Sequence, residues 1–379
     1  MRPCCLLLSA LLLLVCQCCA QPAAPAYTAE EQALRRDIGQ MLLVGFRGTE
    51  LADTSHIVRD IRDYGIGGVI LFEYDAPSHS RPRNITSRDQ LQRLCSALQA
   101  LDTAPLLIGI DQEGGRVSRL KEQYGFPNFA SAKATAASYD SVRHYARMTA
   151  ETLHSLGINL NFAPCVDVDV NPLCPVIGKI ERSFSSNPQK VARCATIWME
   201  EQRRAGVISC LKHFPGHGSS KNDTHLGLAD VSDTWHTSEL EPYRLLILAD
   251  THSTSSYMIM TTHVFNARFD SVYPATLSYS TLTGLLRNKL LYDGVIITDD
   301  LAMGAMTQQY DYEEMLRLTI LAGADMLCLS NNGADYNPDI VPQTVDIIYR
   351  LVKSRQIPAE TIRASAARIR QLSNFTIHQ

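Results

Sequence analysis

The chain alternates short, almost wholly apolar runs with longer stretches in which apolar residues recur at helical spacing. Eight apolar runs follow residue 40, and they begin at Met41, Gly68, Leu106, Ile158, Val207, Met258, Val295 and Met326. Helical spacing is clear over 142–156, 191–204, 240–248 and 315–321. Strands that lack polar alternation are buried on both faces, which is typical of a parallel sheet covered by helices.

Eight strand and helix units over roughly 350 residues predict a (β/α)8 barrel, an α/β fold in a single domain. We expect this domain to run from about residue 28 to residue 375 and to close with a helix over 357–372. An open, doubly wound sheet is the alternative. That fold needs a glycine-rich phosphate-binding loop that leads directly into a helix after the first strand. The segment at 45–48 contains two glycines but does not lead into a helix.

The first 20 residues have a different composition from the rest of the chain. Arg2 precedes an apolar run over 6–15, and a cysteine-rich segment then ends at Ala20. This order is typical of a secretory signal peptide, whereas a membrane-spanning helix needs about 20 apolar residues. We therefore predict a signal peptide over 1–20 and an exported protein, either periplasmic or secreted. A lipid on one of the cysteines between 16 and 19 is an alternative link to a membrane.

Charge and cysteine content narrow the classes of partner. The net charge is -4 and no run of lysine and arginine occurs, so no basic field attracts nucleic acid. A small molecule or a carbohydrate suits this composition better. The chain has 11 cysteines, of which the six after the leader contain no CxxC pair. We expect no disulfide scaffold, although one or two disulfide bridges are an open alternative. For each of the six cysteines, a buried free thiol is the simpler interpretation.

Polar residues cluster directly after the apolar runs. Barrel enzymes build their sites from the loops at the carboxyl ends of the strands, so these residues should meet at one end of the barrel. The set comprises 111–116 after the third run, Asp167 and Asp169 after the fourth, Lys212 and His213 after the fifth, His263 after the sixth, and Asp299 and Asp300 after the seventh. This placement predicts a binding or catalytic site.

The loop over 212–225 reads KHFPGHGSSKNDTH and offers three kinds of chemistry. A zinc site would use its three histidines and its aspartate. However, a proline and a glycine prevent a helical HxxxH pair, and the lysine would repel a dication. A phosphate cradle would need the order GxxxxGK[ST], which is absent. We therefore expect neither a metal nor a cofactor, and we favour proton transfer on a sugar. The metal-ligand candidates considered were His213, His217, Asp223 and His225.

Glycoside cleavage needs a group that protonates the leaving oxygen and a carboxylate that attacks or stabilises the anomeric carbon. Asp299 ends the apolar run at 295–298 and suits the second role. Strand alternation sends Val295, Ile297 and Asp299 to one side, so we expect only one of Asp299 and Asp300 to face the barrel axis directly.

Three motifs stand in order along the chain: DQEGGRV at 111–117, KHFPGHG at 212–218 with DTH at 223–225, and GVIITDDL at 294–301. Together with shorter matches at 162–168, 182–184 and 263–264, they resemble the bacterial β-N-acetylglucosaminidases of glycoside hydrolase family 3. The resemblance covers nearly the whole chain after the leader and is closest to the short, single-domain members. It implies a barrel enzyme that acts on carbohydrate.

The resemblance also implies a role for each matched residue. Asp299 corresponds to the nucleophile, His225 to the general acid/base and Asp223 to its partner in a dyad. Charged side chains that suit sugar hydroxyls would hold the N-acetyl sugar by charge-assisted hydrogen bonds. These substrate-binding residues are Asp111, Arg119, Arg182, Lys212 and His213.

The sequence departs from the family pattern at a few positions. Thr224 replaces the commoner serine of the dyad segment and keeps a hydroxyl, and Ser219 stands where aspartate or alanine is more frequent. The run over 178–181 is two residues longer than in the shortest members. We expect His217 to brace its loop rather than contact substrate, and Asp300 to act as a hydrogen-bonding neighbour of the site.

These observations predict an exported, retaining exo-β-N-acetylglucosaminidase, that is, a β-N-acetylhexosaminidase. It would remove terminal non-reducing N-acetylglucosamine from cell-wall-derived or related glycans, and so take part in peptidoglycan turnover. One alternative is a catalytically silent barrel that only binds sugar. Another is a family 3 enzyme with a different sugar preference or with phosphate as the acceptor.

Overall fold

The computed structural model describes residues 27–101, 105–249 and 256–375. The predicted signal peptide over 1–20 lies outside these residues. Eight strands form the central sheet: β1 (Leu42–Gly45), β2 (Gly68–Leu71), β3 (Leu107–Ile110), β4 (Leu160–Asn161), β5 (Ile208–Phe214), β6 (Tyr257–Thr261), β7 (Val295–Ile297) and β8 (Leu327–Leu329). Each of the eight apolar runs contains one of them.

The sheet closes into a barrel. Its strands are paired in parallel in the order β7-β6-β5-β4-β3-β2-β1-β8. A parallel bridge between Ile297 and Met326 joins the two outer strands, and the Thr298 N–H donates to the Met326 carbonyl at 3.0 Å. The (β/α)8 prediction is confirmed, and the open doubly wound alternative is wrong.

Helices cover the outside of the barrel. They are α1 (Ala29–Gln40), α2 (His56–Tyr64), α3 (Arg88–Gln99), α4 (Tyr139–Leu156), α5 (Pro188–Arg204), α6 (Glu241–Ala249), α7 (Tyr312–Ala322), α8 (Ile340–Lys353) and α9 (Ala359–Asn374). A π-helix spans Ser280–Lys289, and short helices span Ala132–Thr135 and Gly304–Thr307. In the part of the chain that the structure describes, no helix is both long and apolar enough to cross a bilayer.

Capping residues in the sequence set the ends of these helices. The Ser138 hydroxyl accepts from the Ser141 N–H at the start of α4, and Gly157 ends this helix in the left-handed region at φ 77°. Asn187 caps α5 in the same way, and Pro188 occupies the first helical position, where its missing N–H costs nothing. The helices predicted from the periodicity at 142–156 and 191–204 are therefore confirmed as α4 and α5.

The core has two main layers, inside and around the strands. On β7, Ile296 packs in the buried cluster that includes Leu282 of the π-helix. Its neighbours Val295 and Ile297 belong to the other large cluster, together with Met260 of β6. This separation is the alternation expected for a strand with both faces buried.

The cysteines of the described ranges are buried in the fold and do not form crosslinks with one another. Six are free and buried within the described ranges: Cys95, Cys165, Cys174, Cys194, Cys210 and Cys328. Burial raises the pKa of the Cys95 thiol to about 12, as expected for an inert thiol in apolar surroundings. The buried-thiol interpretation is confirmed for these six residues.

Candidate active site

A cavity of about 390 Å³ opens where the carboxyl ends of the barrel strands meet. All eight residues predicted for the site line it: Asp111, Arg119, Arg182, Lys212, His213, Asp223, His225 and Asp299. Lys212 and His213 lie at the carboxyl end of β5, and the others lie in the segments after β3, β4, β5 and β7. They are adjacent because the barrel brings these strand ends together. Their individual catalytic roles stay predictions.

Five charged or polar side chains form a network that we call the charged floor: Asp111, Arg182, Lys212 and His213, which line the cavity, and Glu113, which joins Lys212 to Arg182. The Lys212 Nζ lies 2.9 Å from Asp111 Oδ1 and 2.7 Å from Glu113 Oε1. Arg182 donates twice to Glu113, at 2.8 and 2.9 Å. Its Nη2 also lies 3.1 Å from His213 Nε2. The charged floor is therefore one continuous network.

Mutual pairing fixes the charges of this network. Burial opposes ionisation of Asp111, but Lys212 and Arg119 hold the pKa of its carboxyl well below the usual range. Arg182 and Lys212 likewise lower the pKa of Glu113 against its burial. The two carboxylates in turn raise the pKa of Lys212, which is only 2% exposed. Fixed donors and acceptors of this kind are preorganised to hold sugar hydroxyls.

Asp167 supports the charged floor from beneath. Its carboxylate is fully buried and accepts from the Nδ1 and the backbone N–H of His213, at 2.6 and 3.2 Å. Burial opposes its ionisation, but His213 and the His217 N–H hold the pKa of the carboxyl below its usual value. With the proton of His213 on Nδ1, its Nε2 is left to accept from Arg182. Asp167 therefore fixes the orientation of a predicted binding residue.

The same neighbourhood brings together three groups of the metal-ligating kind. Cys165, Asp167 and His213 place one ligand-type atom each within 4.8 Å of one another. These atoms already bond among themselves, and burial raises the pKa of Cys165 far above its usual value. The guanidinium of Arg182 beside His213 adds a positive charge. This donor set suits a hydrogen-bonded network and fits a cation poorly.

The four metal-ligand candidates of the loop do not converge on one point. His213 bonds to Asp167, His217 lies 3.1 Å from the Thr224 hydroxyl, and His225 pairs with Asp223. Each imidazole therefore has its own partner, and the zinc interpretation of this loop has no support in the geometry.

Asp299 and Asp300 both line the cavity. β7 ends at Ile297, so both aspartates lie beyond the last residue of the strand. The expectation that only one of them faces the barrel axis directly stays a prediction. The Ser330 hydroxyl and N–H both donate to Asp300, the latter at 3.0 Å, as expected of a hydrogen-bonded neighbour. The Asp300 N–H in turn donates to Asp299 Oδ1 at 2.9 Å.

The environments of the two aspartates move their pKa values apart. Burial opposes ionisation of Asp299, but electrostatic interactions with His213, His263 and His225 hold its pKa below the usual value. Burial raises the pKa of Asp300, and the adjacent charge of Asp299 adds to this effect. Divergent pKa values of neighbouring carboxyls indicate a division of roles, and the ionised Asp299 suits a nucleophile.

Asp223, Thr224 and His225 form a short segment that we call the dyad turn. The His225 Nδ1 lies 2.7 Å from Asp223 Oδ1, which also accepts the His225 N–H at 2.9 Å. The His225 side chain is 63% exposed and that of Asp223 is 29% exposed. Because Asp223 occupies Nδ1, the other ring nitrogen is left for exchange of a proton at the cavity.

Sequence reasoning missed several residues of the site. Glu113 lies inside the first motif but was not assigned, although it joins Lys212 to Arg182. Phe72 and Asn332 line the cavity. Asn332 is the third residue after β8, so the rule that found the other polar clusters could have found it. Phe72 follows β2 but is apolar, so that rule gave no signal for it. His263 does not line the cavity and bonds instead to the Asp300 carbonyl at 2.9 Å.

A wider hollow, of about 850 Å³, lies away from these residues, between α4, α5 and the amino end of β4. Three of its charged side chains are already paired: Arg147 and Arg204 both donate to the buried Glu201. Its position at the amino ends of the strands is where barrel residues usually serve stability. The chemistry of the chain therefore lies in the smaller cavity.

Comparison with known proteins agrees with this geometry. The family described as "Glycosyl hydrolase family 3 N terminal domain" matches residues 33–372. A protein named beta-hexosaminidase from Alkalilimnicola ehrlichii is 35% identical over 309 residues, which are 79% of this chain and 82% of that protein. "Beta-hexosaminidase A" from Pseudoalteromonas piscicida is 34% identical over 336 residues, covering 82% of this chain. The chain spans only 54% of that second relative.

Solved structures show the same barrel. A family 3 β-N-acetylglucosaminidase from Paenibacillus sp. superposes with a TM-score of 0.80 at 32% identity, over 93% of this chain and 63% of that one. A β-N-acetylhexosaminidase from Beutenbergia cavernae gives a TM-score of 0.78 at 25% identity, over 90% of this chain and 98% of that one. The barrel is thus similar to part of a longer protein and to almost the whole of another protein.

Proposed function

Because the chain belongs to glycosyl hydrolase family 3, we propose that it is an exo-acting β-N-acetylhexosaminidase that releases terminal, non-reducing N-acetylglucosamine. One observation carries this proposal: residues of three separate motifs line a single cavity, namely Asp111 of the first motif, Lys212, His213, Asp223 and His225 of the second, and Asp299 of the third. The names of the relatives support the hexosaminidase activity. A cavity of about 390 Å³ suits one terminal sugar unit better than the middle of a polymer.

The proposed reaction is a double displacement. Asp299 attacks the anomeric carbon while His225 gives its proton to the glycosidic oxygen, so that a carboxylate–carbon bond forms and the bond to the leaving group breaks. His225 then takes a proton from water, which attacks the same carbon and releases Asp299. Two inversions at one carbon give net retention of configuration.

The charges around the cavity suit these steps. Asp299 is held ionised and is therefore ready to attack. The Asp223 carboxylate lies 2.7 Å from His225 Nδ1 and accepts its proton in a hydrogen bond, so that the other ring nitrogen is the one that gives a proton to the leaving oxygen. The exposure of His225 lets the leaving group depart and lets water enter. The charged floor meanwhile holds the sugar without taking part in proton transfer.

Hydrolysis of a chromogenic N-acetyl-β-glucosaminide by the pure protein tests this function. We expect turnover that exceeds that on the matching β-glucoside, and an initial product with the β configuration by NMR. Binding of N-acetylglucosamine without turnover would instead support the silent sugar-binding barrel. Release of a sugar 1-phosphate when phosphate is added would indicate phosphorolysis. Cell-wall-derived oligosaccharides are the natural substrates to compare next.

We also propose export, on the support of the leader-like composition of residues 1–20. Expression of the full chain in a secreting host should give a mature protein whose N-terminus lies just after Ala20. Retention of the intact leader inside the cell would contradict export. Recovery of the protein in a detergent phase, with a mass increase at a cysteine between 16 and 19, would point to a lipid anchor.

A further inference from the structure

We propose that His217 is a positioning residue that holds the dyad turn in place through the hydroxyl of Thr224. The His217 Nε2 lies 3.1 Å from Thr224 Oγ1. His217 does not line the cavity, so it acts through the turn and not on the substrate. The inference rests on the proposed glycosidase function, in which the dyad turn supplies the proton.

Burial along the dyad turn singles out Thr224. Thr224 is only 2% exposed. The side chains of its two neighbours are more open to solvent, at 29% for Asp223 and 63% for His225. A small polar residue that is buried between two exposed catalytic residues has a hydroxyl that needs a partner. Within the described ranges, the side-chain partner of that hydroxyl is His217.

On its other side, the turn accepts two hydrogen bonds from backbone groups. The Ala305 and Gly304 N–H groups donate to the carbonyls of Thr224 and His225, at 3.1 and 3.3 Å. Both donors lie in the segment after β7, which also carries Asp299. The bond between His217 and Thr224 ties the turn back to the beginning of its own loop, next to the end of β5 that carries Lys212 and His213 of the charged floor. His225 is thus held relative to both the nucleophile and the sugar.

His217 has a rigid base from which to act. Its N–H donates to Asp167 Oδ1 at 2.7 Å, and Asp167 also holds His213 of the charged floor. Gly216 adopts φ 125°, which other residues rarely reach. A Cβ on Gly218 would lie 1.8 Å from the Val168 carbonyl oxygen. The backbone on both sides of His217 is therefore closely constrained.

The chemistry of the bond favours a neutral His217 that donates from Nε2. The buried Nδ1 has no partner in the described structure, and an unpaired acceptor costs less than an unpaired N–H in such a place. Burial, with the nearby His213, lowers the pKa of His217 to about 4. The ring therefore keeps one proton across the neutral range, and the bond to Thr224 persists there.

Four variants test the inference: Thr224→Val, Thr224→Ser, His217→Leu and His217→Gln. Valine keeps the shape of threonine without its hydroxyl, and serine keeps the hydroxyl. Glutamine places an N–H near the position of Nε2, whereas leucine removes it. Each variant is assayed for kcat/KM on a glycoside with a poor leaving group and on one with an activated leaving group, and for its thermal unfolding midpoint.

We expect Thr224→Val and His217→Leu to lose about 10- to 100-fold in kcat/KM on the poor leaving group, because a misplaced acid transfers its proton badly. On the activated leaving group, which needs no acid, the loss should stay within about threefold. Thr224→Ser and His217→Gln should recover most of the activity. The double variant Thr224→Val with His217→Leu should be no worse than the poorer single one, because both remove the same bond.

Two outcomes would overturn the inference. Equal losses on both leaving groups would mean that His217 and Thr224 only support the fold, and Thr224→Val with full activity on the poor leaving group would mean that the bond is dispensable. The wild-type protein serves as the reference for the proposed function itself. If it fails to cleave even the activated glycoside, the function fails before the positioning role is tested.

Discussion

The charged floor and the dyad turn serve one cavity but are built by opposite means. In the charged floor, Lys212 and Glu113 are almost completely buried and are paired at 2.7 Å. In the dyad turn, the pair formed by His225 and Asp223 has the same short separation, 2.7 Å, yet the His225 side chain is 63% exposed. The difference lies in the surroundings and not in the pairing.

This difference teaches how one site can be both rigid and reactive. Buried charges that are fully paired hold fixed positions, but losing one partner leaves an uncompensated charge in a poorly polarisable medium. An exposed pair contributes little to stability and can gain or lose a proton beside solvent. This difference fits the proposed function, in which the charged floor holds the sugar and the dyad turn exchanges a proton with the leaving group and with water.

The largest effect should come from the nucleophile between these two regions. Asp299→Ala is expected to lower kcat by about 10⁴-fold or more, because no glycosyl-enzyme can form. The thermal unfolding midpoint and the binding of N-acetylglucosamine should change little. Unchanged turnover would place the nucleophile elsewhere, and Asp300 would then be the next carboxylate to replace.

His225→Ala tests whether the dyad turn acts only in proton transfer. We expect kcat/KM on a glycoside with a poor leaving group to fall by about 10²- to 10⁴-fold. On an activated glycoside the loss should be far smaller, and added azide, which needs no general base, should raise kcat of this variant. Equal losses on both substrates, with no effect of azide, would argue against the acid/base role.

The variants Glu113→Gln and Asp223→Ala compare how much a charge of the charged floor and a charge of the dyad turn contribute to the free energy of unfolding. The first leaves Lys212 and Arg182 short of a buried partner and should lower the free energy of unfolding by about 3–5 kcal/mol. The second removes a partly exposed charge and should change it by only about 0.5 kcal/mol. Denaturant unfolding of both variants measures the two values. A similar loss in each would mean that the two regions are not built differently.

Glu239 allows a test with a smaller expected effect on stability. It contacts Ser219, which lies between His213 of the charged floor and the dyad turn. Its buried carboxyl accepts from the Ser219 and His236 N–H groups, both at 3.2 Å, and burial raises its pKa to about 7 from the usual 4.5. The folded protein therefore binds this proton more tightly than the unfolded chain does. The stability from Glu239 is fully present below pH 4.5 and is lost as pH rises through about 7.

In Glu239→Gln that titration is absent. The free energy of unfolding of the variant minus that of the wild-type protein should therefore increase as pH rises from 4.5 to above 7. Unfolding measured in parallel at several pH values checks this difference, and other titrating groups cancel in the comparison. A difference that stays constant with pH would show that Glu239 does not titrate in this range.

The sequence determined much of the fold and the identity of most of the site. Eight apolar runs predicted eight strands because a parallel strand covered on both faces must be apolar throughout. Polar residues after those runs predicted the site because the carboxyl ends of barrel strands meet at one mouth. Asp111, Lys212 and Asp299 were found in this way, although they lie far apart along the chain.

Only the tertiary structure decided how these residues are paired and how deeply each is buried. The sequence placed Asp167 among the polar residues after the fourth run, but only the structure shows that it is fully buried and bonded to His213. Asp223 and Asp111 are both aspartates, yet one belongs to an exposed pair and the other to the charged floor. Burial and partners depend on residues brought together by barrel closure, and these set the cost of a charge and the direction of a pKa shift. Residue type and order along the chain therefore identified the groups, and the closed barrel decided which of them are buried in a charged network and which remain exposed.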